Sequence, residues 1–152
     1  MRDQARSDRI AERKAMAVRE IMSREVRTVS PATTLQEAAL LMRQIDVGAL
    51  LVNDNDHLSG ILTDRDLVVR ALAEGLDLQT PVSRVMSPQV HYCFEDESVD
   101  HVARNMAQIE MRRLAVVNRE KRLVGIVSLA NVASCNADKL SANLLRGVAR
   151  AH

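Results

Sequence analysis

Two short segments, GILTDRD and GIVSLAN, carry side chains that can hold a small ligand. In each, a hydroxyl group precedes an oxygen acceptor by three positions: Thr63 precedes Asp66, and Ser128 precedes Asn131. If a helix begins there, its free amide groups attract phosphate, and a carboxylate one turn in suits the two hydroxyls of a ribose. The same pairs would also serve as helix caps without any ligand, so both interpretations stay open.

Motifs for catalysis or metal binding are missing from the sequence. It contains no GxSxG, HExxH, Walker A or GxGxxG pattern, and its four histidines are widely separated. His91 and Cys93 would point to the same face of a strand, but two ligands do not make a metal site. We therefore expect no enzymatic activity, no bound metal and no required cofactor.

The elements that must position the two segments come from a duplication, because the chain repeats itself once at an offset of about 64 residues. Val18, Ile21, Met22 and Ser23 recur as Val82, Val85, Met86 and Ser87. The apolar positions Leu35, Ala38, Ala39, Met42 and Ile45 recur as Val99, Val102, Ala103, Met106 and Ile109, with the spacing of one buried helix face. The sequence therefore predicts two copies of one structural unit.

Each copy is predicted to contain a short strand, an amphipathic helix, two strands joined by a polar turn, and a second helix. Thr34 and Glu37 form a capping box at the start of the first helix, whereas Ser98 has His101 in the equivalent place and a weaker cap. One such unit cannot cover both faces of its sheet, so we expect the copies to pack together.

Four regions follow from the duplication: an N-terminal arm (1–17), repeat 1 (18–76), repeat 2 (77–135) and a helical C-terminal tail (136–152). The arm is rich in arginine, which permits a frayed helix or a solvated segment. The tail carries an apolar stripe that we expect to cover the core or a dimer partner.

Composition limits the possible functions. Of 152 residues, 47% are hydrophobic and 27% are charged, as in ordinary globular proteins. One Tyr, one Phe and no Trp argue against base-stacking surfaces, and a net charge of +1 argues against nucleic-acid or membrane partners. Two cysteines and the lack of an apolar leader or membrane-spanning run predict a cytoplasmic location.

The duplication, together with the pattern Gly-Ile-x-Thr/Ser-x-x-Asp/Asn, resembles a tandem CBS-domain pair, also called a Bateman module, over residues 18–135. The stretches GILTDRDLVVR and RRLAVV are similar to those of small stand-alone bacterial CBS-pair proteins. The resemblance implies an α/β fold of the α+β sandwich-like type, with two β-α-β-β-α repeats packed about a pseudo-twofold axis. It also implies clefts for adenosine nucleotides between the repeats and no catalysis.

The same resemblance assigns roles to residues of the first copy. Asp66 would accept hydrogen bonds from the ribose hydroxyls, and Thr63 would hold a phosphate together with the helix N-terminus. Thr28 and Val29 would offer backbone and apolar contacts to the adenine.

From the second copy, Arg112 and Arg113 would reach towards the phosphates. Alternatively, both residues are ordinary exposed arginines that contact no ligand. The repeat alignment matches the two residues with Val47 and Gly48, which carry no charge.

A second, weaker site is implied around Ser128 and Asn131. Asn131 stands where the family has Asp, and a neutral acceptor makes hydrogen bonds about half as strong as a charged one. Tyr92 is the counterpart of Thr28, so its ring would either stack on a ligand or fill the core or the cleft.

The leading hypothesis is a regulatory homodimer. It binds an adenosine-containing small molecule such as AMP, ADP, ATP or an NAD-like ligand, and it signals to an unidentified protein by a change of shape. The alternative is a ligand-free dimerisation scaffold. We do not favour a nucleotide hydrolase, because the sequence offers no candidate nucleophile. Nucleic-acid binding through the N-terminal arm is also disfavoured, because the net charge is only +1.

Overall fold

The computed structural model describes residues 3–8 and 16–135. Residues 3–8, in the predicted arm, are helical and exposed, and Gln4 Nε2 donates to Asp8 Oδ1 at 3.1 Å. The predicted C-terminal tail lies outside the described residues.

The first three-stranded sheet is built by repeat 1. Its elements are β1 (Thr28–Val29), α1 (Leu35–Ile45), β2 (Ala49–Asp54) and β3 (His57–Thr63), and the strand order is β1-β2-β3. β1 is parallel to β2, and β2 is antiparallel to β3. Two parallel strands need a crossover connection, and α1 supplies it.

The polar turn predicted between β2 and β3 is a two-residue hairpin turn. Asp54 pairs with His57, and the two residues between them, Asn55 and Asp56, have φ of 49° and 67°. Positive φ at both central residues is the type I′ arrangement, which Asn and Asp tolerate because their short side chains bond locally.

Helix α1 begins at the predicted capping box. Glu37 N donates to Thr34 Oγ1 at 3.2 Å, and Thr34 N donates to Glu37 Oε2 at 3.3 Å. The buried face of the helix is formed by Leu35, Ala38 and Met42, as the periodicity predicted.

The helix that follows β3 is irregular. It starts as α2 (Asp64–Asp66) and continues as a π-helix over Leu67–Leu72, where the sequence predicted an ordinary helix. Ala73 N donates to Val68 O at 2.9 Å, a bond to the fifth preceding residue. Such wide turns are rare, and they occur frequently at functional sites.

Repeat 2 builds a second three-stranded sheet of order β4-β5-β6. Its elements are β4 (Tyr92–Phe94), α3 (Val99–Gln108), β5 (Arg113–Val117) and β6 (Leu123–Ser128). A further helix, α4, begins after β6 and is described over residues 129–135. The weaker cap predicted for α3 is confirmed, since Ser98 Oγ accepts from His101 N at 3.2 Å without a reciprocal bond from His101.

The chain forms two compact units that cut across the sequence repeats. We call residues 25–92 with 119–123 the first unit, and the described residues 3–8, 16–24, 93–118 and 124–135 the second unit. Each unit contains the leading segment of the other repeat: residues 18–24, which lead repeat 1, belong to the second unit, and residues 77–92, which lead repeat 2, belong to the first unit. In the second unit Ser23 and Ile126 exchange backbone hydrogen bonds, both 2.9 Å, and in the first unit Ser87 and Ile61 do the same, also at 2.9 Å.

Each unit has its own apolar core of Val, Leu, Met and Ala. In the first unit the fully buried side chains include Val52, Leu62, Val82 and Val85. In the second unit they include Val18, Val102, Met106, Val116 and Val127. The leading segments therefore contribute Val82 and Val18 to cores built mostly by other parts of the chain.

Candidate functional site

The turn from β3 into α2 holds Thr63 and Asp66 in a reciprocal pair. Asp66 N donates to Thr63 Oγ1 at 3.1 Å, and Thr63 N donates to Asp66 Oδ2 at 2.9 Å. Both side chains are half-buried. This confirms the predicted cap, and it uses one carboxylate oxygen of Asp66 for the local fold.

The second oxygen of Asp66, Oδ1, faces a residue that the sequence analysis missed. Arg70 Nη1 lies 3.9 Å from Asp66 Oδ1 and donates to Val85 O at 3.1 Å. The four-residue spacing from Asp66 to Arg70 is the signal that would have revealed the pair, because residues so spaced are neighbours on a helix surface.

Thr28 and Val29 lie on the same sheet as this turn, two strands away. They pair with Leu51 and Val52 of β2, and β2 separates β1 from β3. Since neighbouring strands are ~4.8 Å apart, β1 and β3 are about 10 Å apart. One sheet thus carries three of the predicted site residues, Thr28, Val29 and Thr63, with Thr28 half-buried and Val29 buried.

The turn from β6 into α4 has the same frame with different chemistry. Asn131 N donates to Ser128 Oγ at 3.1 Å, while Asn131 Oδ1 accepts from both Ser128 N and Ser128 Oγ at 2.9 Å. A carbonyl oxygen has two lone pairs, and both are used here. What Asn131 has left for a ligand is its NH₂ group, a donor, where Asp66 offers an acceptor.

Arg112 and Arg113 are exposed and belong to the second unit, with Arg113 as the first residue of β5. Leu129 N donates to Arg112 O at 3.0 Å, just as Asp64 N donates to Gly48 O at 2.9 Å. The structural counterpart of Arg112 is therefore Gly48, and the predicted alignment with Val47 is wrong by one position.

Gly48 lies close to the start of α2. A Cβ atom at this position would come 3.1 Å from Asp64 Oδ2. The first repeat therefore has a small, uncharged residue where the second has Arg112.

Tyr92 does not fill a core. It is the first residue of β4 and is 43% exposed, so the core-filling alternative is wrong. A stacking role for its ring stays a prediction.

His91 and Cys93 lie in different environments. His91 is exposed, whereas Cys93 is buried, and burial followed by the nearby Glu97 charge raises the pKa of its thiol to about 12. In the described ranges 3–8 and 16–135, no three His, Cys, Asp or Glu side chains come together to hold a metal ion.

A search for membrane spans, limited to the part of the chain that the structure describes, finds no helix with the length and apolarity to cross a bilayer.

Comparison with known proteins gives the same family over both repeats. The family description "CBS domain" matches residues 18–72 and again residues 82–137. CBS domain-containing protein YhcV of Bacillus subtilis is 45% identical over 117 residues, which cover 77% of this chain and 83% of that protein.

Solved structures agree with this assignment. Hypoxic Response Protein I, crystallised with two coordinated zinc ions, is 37% identical with a TM-score of 0.68, and the match covers 78% of this chain and 98% of that one. The CBS domain pair of protein MJ0100, in complex with 5′-methylthioadenosine and S-adenosyl-L-methionine, is 28% identical with a TM-score of 0.66 and covers 82% and 98%. The mixed α/β architecture predicted from the duplication is confirmed, and the chain belongs to the CBS-domain family, with two CBS domains in tandem.

Proposed function

We propose that this chain is a non-catalytic regulatory module that binds an adenosine-containing small molecule and signals to another protein. The observation that carries the proposal is the Asp66 carboxylate. Its Oδ2 completes the helix cap, and its Oδ1 keeps acceptor capacity for the hydroxyls of a ribose. The 28% identical MJ0100 pair, crystallised with two adenosine-containing ligands, supports this ligand class.

The proposed site is formed by residues of the first unit. Asp66 accepts from the ribose, Thr63 holds a phosphate through its hydroxyl group, and Thr28 and Val29 contact the adenine. A phosphate contact from the exposed Arg112 and Arg113 stays a prediction.

A second site around Ser128 and Asn131 is proposed to bind more weakly. Both lone pairs of Asn131 Oδ1 are already used, so it offers no acceptor to a ribose. A stacking role for the exposed Tyr92 ring stays a prediction.

Signalling requires a partner surface, and we propose that the module is a cytoplasmic homodimer. Val68, Val69 and Leu72 on the π-helix are 56%, 47% and 74% exposed. Large apolar side chains grouped on one helix favour a protein contact. The π-helix directly follows Asp66. A ligand bound to Asp66 would therefore contact the helix that carries the exposed apolar side chains.

The test is a nucleotide-binding measurement by calorimetry and thermal shift with AMP, ADP, ATP, NAD and S-adenosylmethionine. At least one should bind and raise the unfolding temperature. Asp66→Asn should weaken that binding about tenfold or more, since a charged acceptor makes roughly twice as strong a hydrogen bond.

The matched control is Glu74→Gln, which removes the same charge from an exposed carboxylate eight residues further along the chain. It should leave the affinity unchanged. Equal losses in the two variants would show a general charge effect and contradict a specific role for Asp66.

A ligand-free dimerisation scaffold is the second candidate, because internal hydrogen bonds fully account for both turns as caps. It predicts that none of the five nucleotides shifts the unfolding temperature. Asp66→Asn would then cost little unfolding free energy, because Asn131 makes the same cap in the second repeat, and ultracentrifugation would still show a dimer.

A further inference from the structure

Arg70 is joined to a rigid part of the first unit. Its Nη1 donates to the carbonyl of Val85 at 3.1 Å, and the Val85 side chain is fully buried. The segment that contains Val85 is held on both sides. Val85 N donates to Val82 O at 3.0 Å, and the next residue but one, Ser87, exchanges two backbone hydrogen bonds with Ile61 of β3. The guanidinium group is therefore held by a carbonyl that cannot easily move.

From this anchor the guanidinium reaches the outer oxygen of Asp66. The distance from Arg70 Nη1 to Asp66 Oδ1 is 3.9 Å, and the Asp66 side chain is only 17% exposed. Its other oxygen, Oδ2, is fixed by Thr63 N at 2.9 Å. The carboxylate thus has one oxygen held by the backbone of the turn and the other beside the guanidinium of Arg70, whose side chain is 53% exposed.

The second repeat lacks both members of this pair. At the same offset of 65 residues, Asn131 stands for Asp66 and Cys135 stands for Arg70. Cys135 Sγ instead lies 3.3 Å from Met16 Sδ, a contact between two uncharged sulfur atoms. The acid and the arginine occur together in one repeat and are both missing from the other, although the caps remain in both.

We propose that Arg70 is a positioning residue of the nucleotide site: held by the Val85 carbonyl, it orients Asp66 Oδ1 towards the ribose diol. The inference rests on the proposed function and deepens it, since it names what sets the geometry of the ribose acceptor. Oδ1 keeps acceptor capacity for a hydroxyl group, because the guanidinium at 3.9 Å makes an ion-pair contact and not a hydrogen bond. Arg70 itself touches no ligand in this mechanism.

The experiment compares the affinities of AMP and 2′,3′-dideoxy-AMP in the wild-type chain and in Arg70→Gln. The dideoxy compound lacks the hydroxyls that Asp66 recognises, so only AMP should depend on the orientation of the carboxylate. Arg70→Gln should weaken AMP binding about three- to tenfold and leave the dideoxy affinity unchanged. Arg70→Lys keeps the charge but not the planar fork, and it should recover part of the loss.

The matched control is Arg104→Gln. Arg104 forms a pair of the same spacing with Asp100, at 3.4 Å, on α3 and outside the proposed site residues. Its replacement should weaken neither nucleotide. If Arg70→Gln weakens AMP and dideoxy-AMP equally, or weakens neither, the positioning role is overturned.

A double-mutant cycle in ligand-free protein separates this result from a failure of the proposed function. Arg70→Gln and Asp66→Asn should lower the unfolding temperature by less together than the sum of their separate effects. If the wild-type chain binds none of the five nucleotides named above, both the nucleotide function and the positioning role fail, and a non-additive cycle then assigns the pair a structural role. If nucleotide binds and the preference for AMP over the dideoxy compound is unchanged in Arg70→Gln, only the positioning role fails.

Discussion

The turn at Thr63–Asp66 and the turn at Ser128–Asn131 have the same backbone-capping hydrogen bonds, but they differ in the donors and acceptors that remain unused. In both, the hydroxyl residue accepts from the amide three positions on, and the side chain at that position accepts from the amide of the hydroxyl residue. After these bonds are made, Asp66 still has an acceptor oxygen, whereas Asn131 has only donors. The motif therefore specifies a cap, and the two caps differ in the lone pairs that remain for a further contact.

The largest predicted effect on stability comes from two glycines at equivalent positions of the two repeats, Gly60 and Gly125. A Cβ on Gly60 would lie 2.6 Å from Ser87 O, and a Cβ on Gly125 would lie 2.8 Å from Ser23 O. Because backbone must move in both cases, Gly60→Ala and Gly125→Ala should each lower the unfolding free energy by about 1–3 kcal/mol. Urea denaturation measures both losses.

The control is Gly48→Ala, where the nearest atom is the side-chain oxygen of Asp64 at 3.1 Å. A carboxylate can rotate away, so this variant should lose much less. If Gly60→Ala leaves the unfolding free energy unchanged while Gly125→Ala lowers it, the two leading segments are not packed in equivalent ways.

A difference in alkaline stability should follow from Cys93, whose counterpart 64 residues earlier is Val29. Both side chains are buried, but burial and then Glu97 raise the pKa of the Cys93 thiol from 9.0 to about 12. The folded state thus keeps a proton that the unfolded state loses above pH 9, and stability falls as pH rises from 9 towards 12. At pH 10.5 the loss due to Cys93 should be about 2 kcal/mol.

Cys93→Val gives the second repeat the residue of the first. Comparing urea denaturation at pH 7.5 and 10.5, this variant should lose less stability than the wild-type chain, since the two proteins differ only in the thiol. Identical losses in the two proteins would contradict the assigned shift of the thiol pKa.

The helix caps should differ more modestly. Thr34 Oγ1 accepts from Glu37 N, and Thr34 N donates in return to Glu37 Oε2. Ser98 Oγ accepts from His101 N without such a return bond. Thr34→Ala should cost about 1 kcal/mol of unfolding free energy, and Ser98→Ala should cost less. Thermal denaturation of the two variants side by side checks the order, and a larger loss for Ser98→Ala would reverse it.

The smallest effect is expected where the turns of the two hairpins meet in the first unit. Leu123 N donates to Asp56 O at 2.9 Å, and Arg122 Nη1 lies 3.7 Å from the exposed Asp56 carboxylate. Since exposed ion pairs contribute little, Arg122→Gln should change the unfolding free energy by about 0.5 kcal/mol or less. A larger loss that also depends on salt would show that the charges, and not the backbone bond, hold the two turns together.

The features that the sequence predicted correctly are local ones. The capping pairs at Thr34 and Thr63 are confirmed because a hydroxyl and an acid three residues apart define them without reference to the rest of the chain. The buried face of α1 follows from its periodicity in the same way. The family, too, follows from the duplication and its motif, which occupy most of the chain.

The features that escaped prediction depend on tertiary contacts. Arg70 gains its role from the Val85 carbonyl, which is 15 residues further along the chain. The alignment of Arg112 with Gly48 depends on a backbone bond that no side-chain pattern reveals. Likewise, a wide π turn over Leu67–Leu72 carries no distinct composition, since its residues also suit an ordinary helix.

The exchange of leading segments sets an order for the synthesis of the protein. Ser23 leaves the ribosome well before its partner Ile126, and the unit that contains Ser23 is complete only after Ile126 has emerged. The first unit closes sooner, although it too waits for residues 119–123. A nascent chain that stops before Ile126 would therefore hold one nearly finished unit beside an N-terminal segment without its partner, and exposed backbone of that kind invites aggregation.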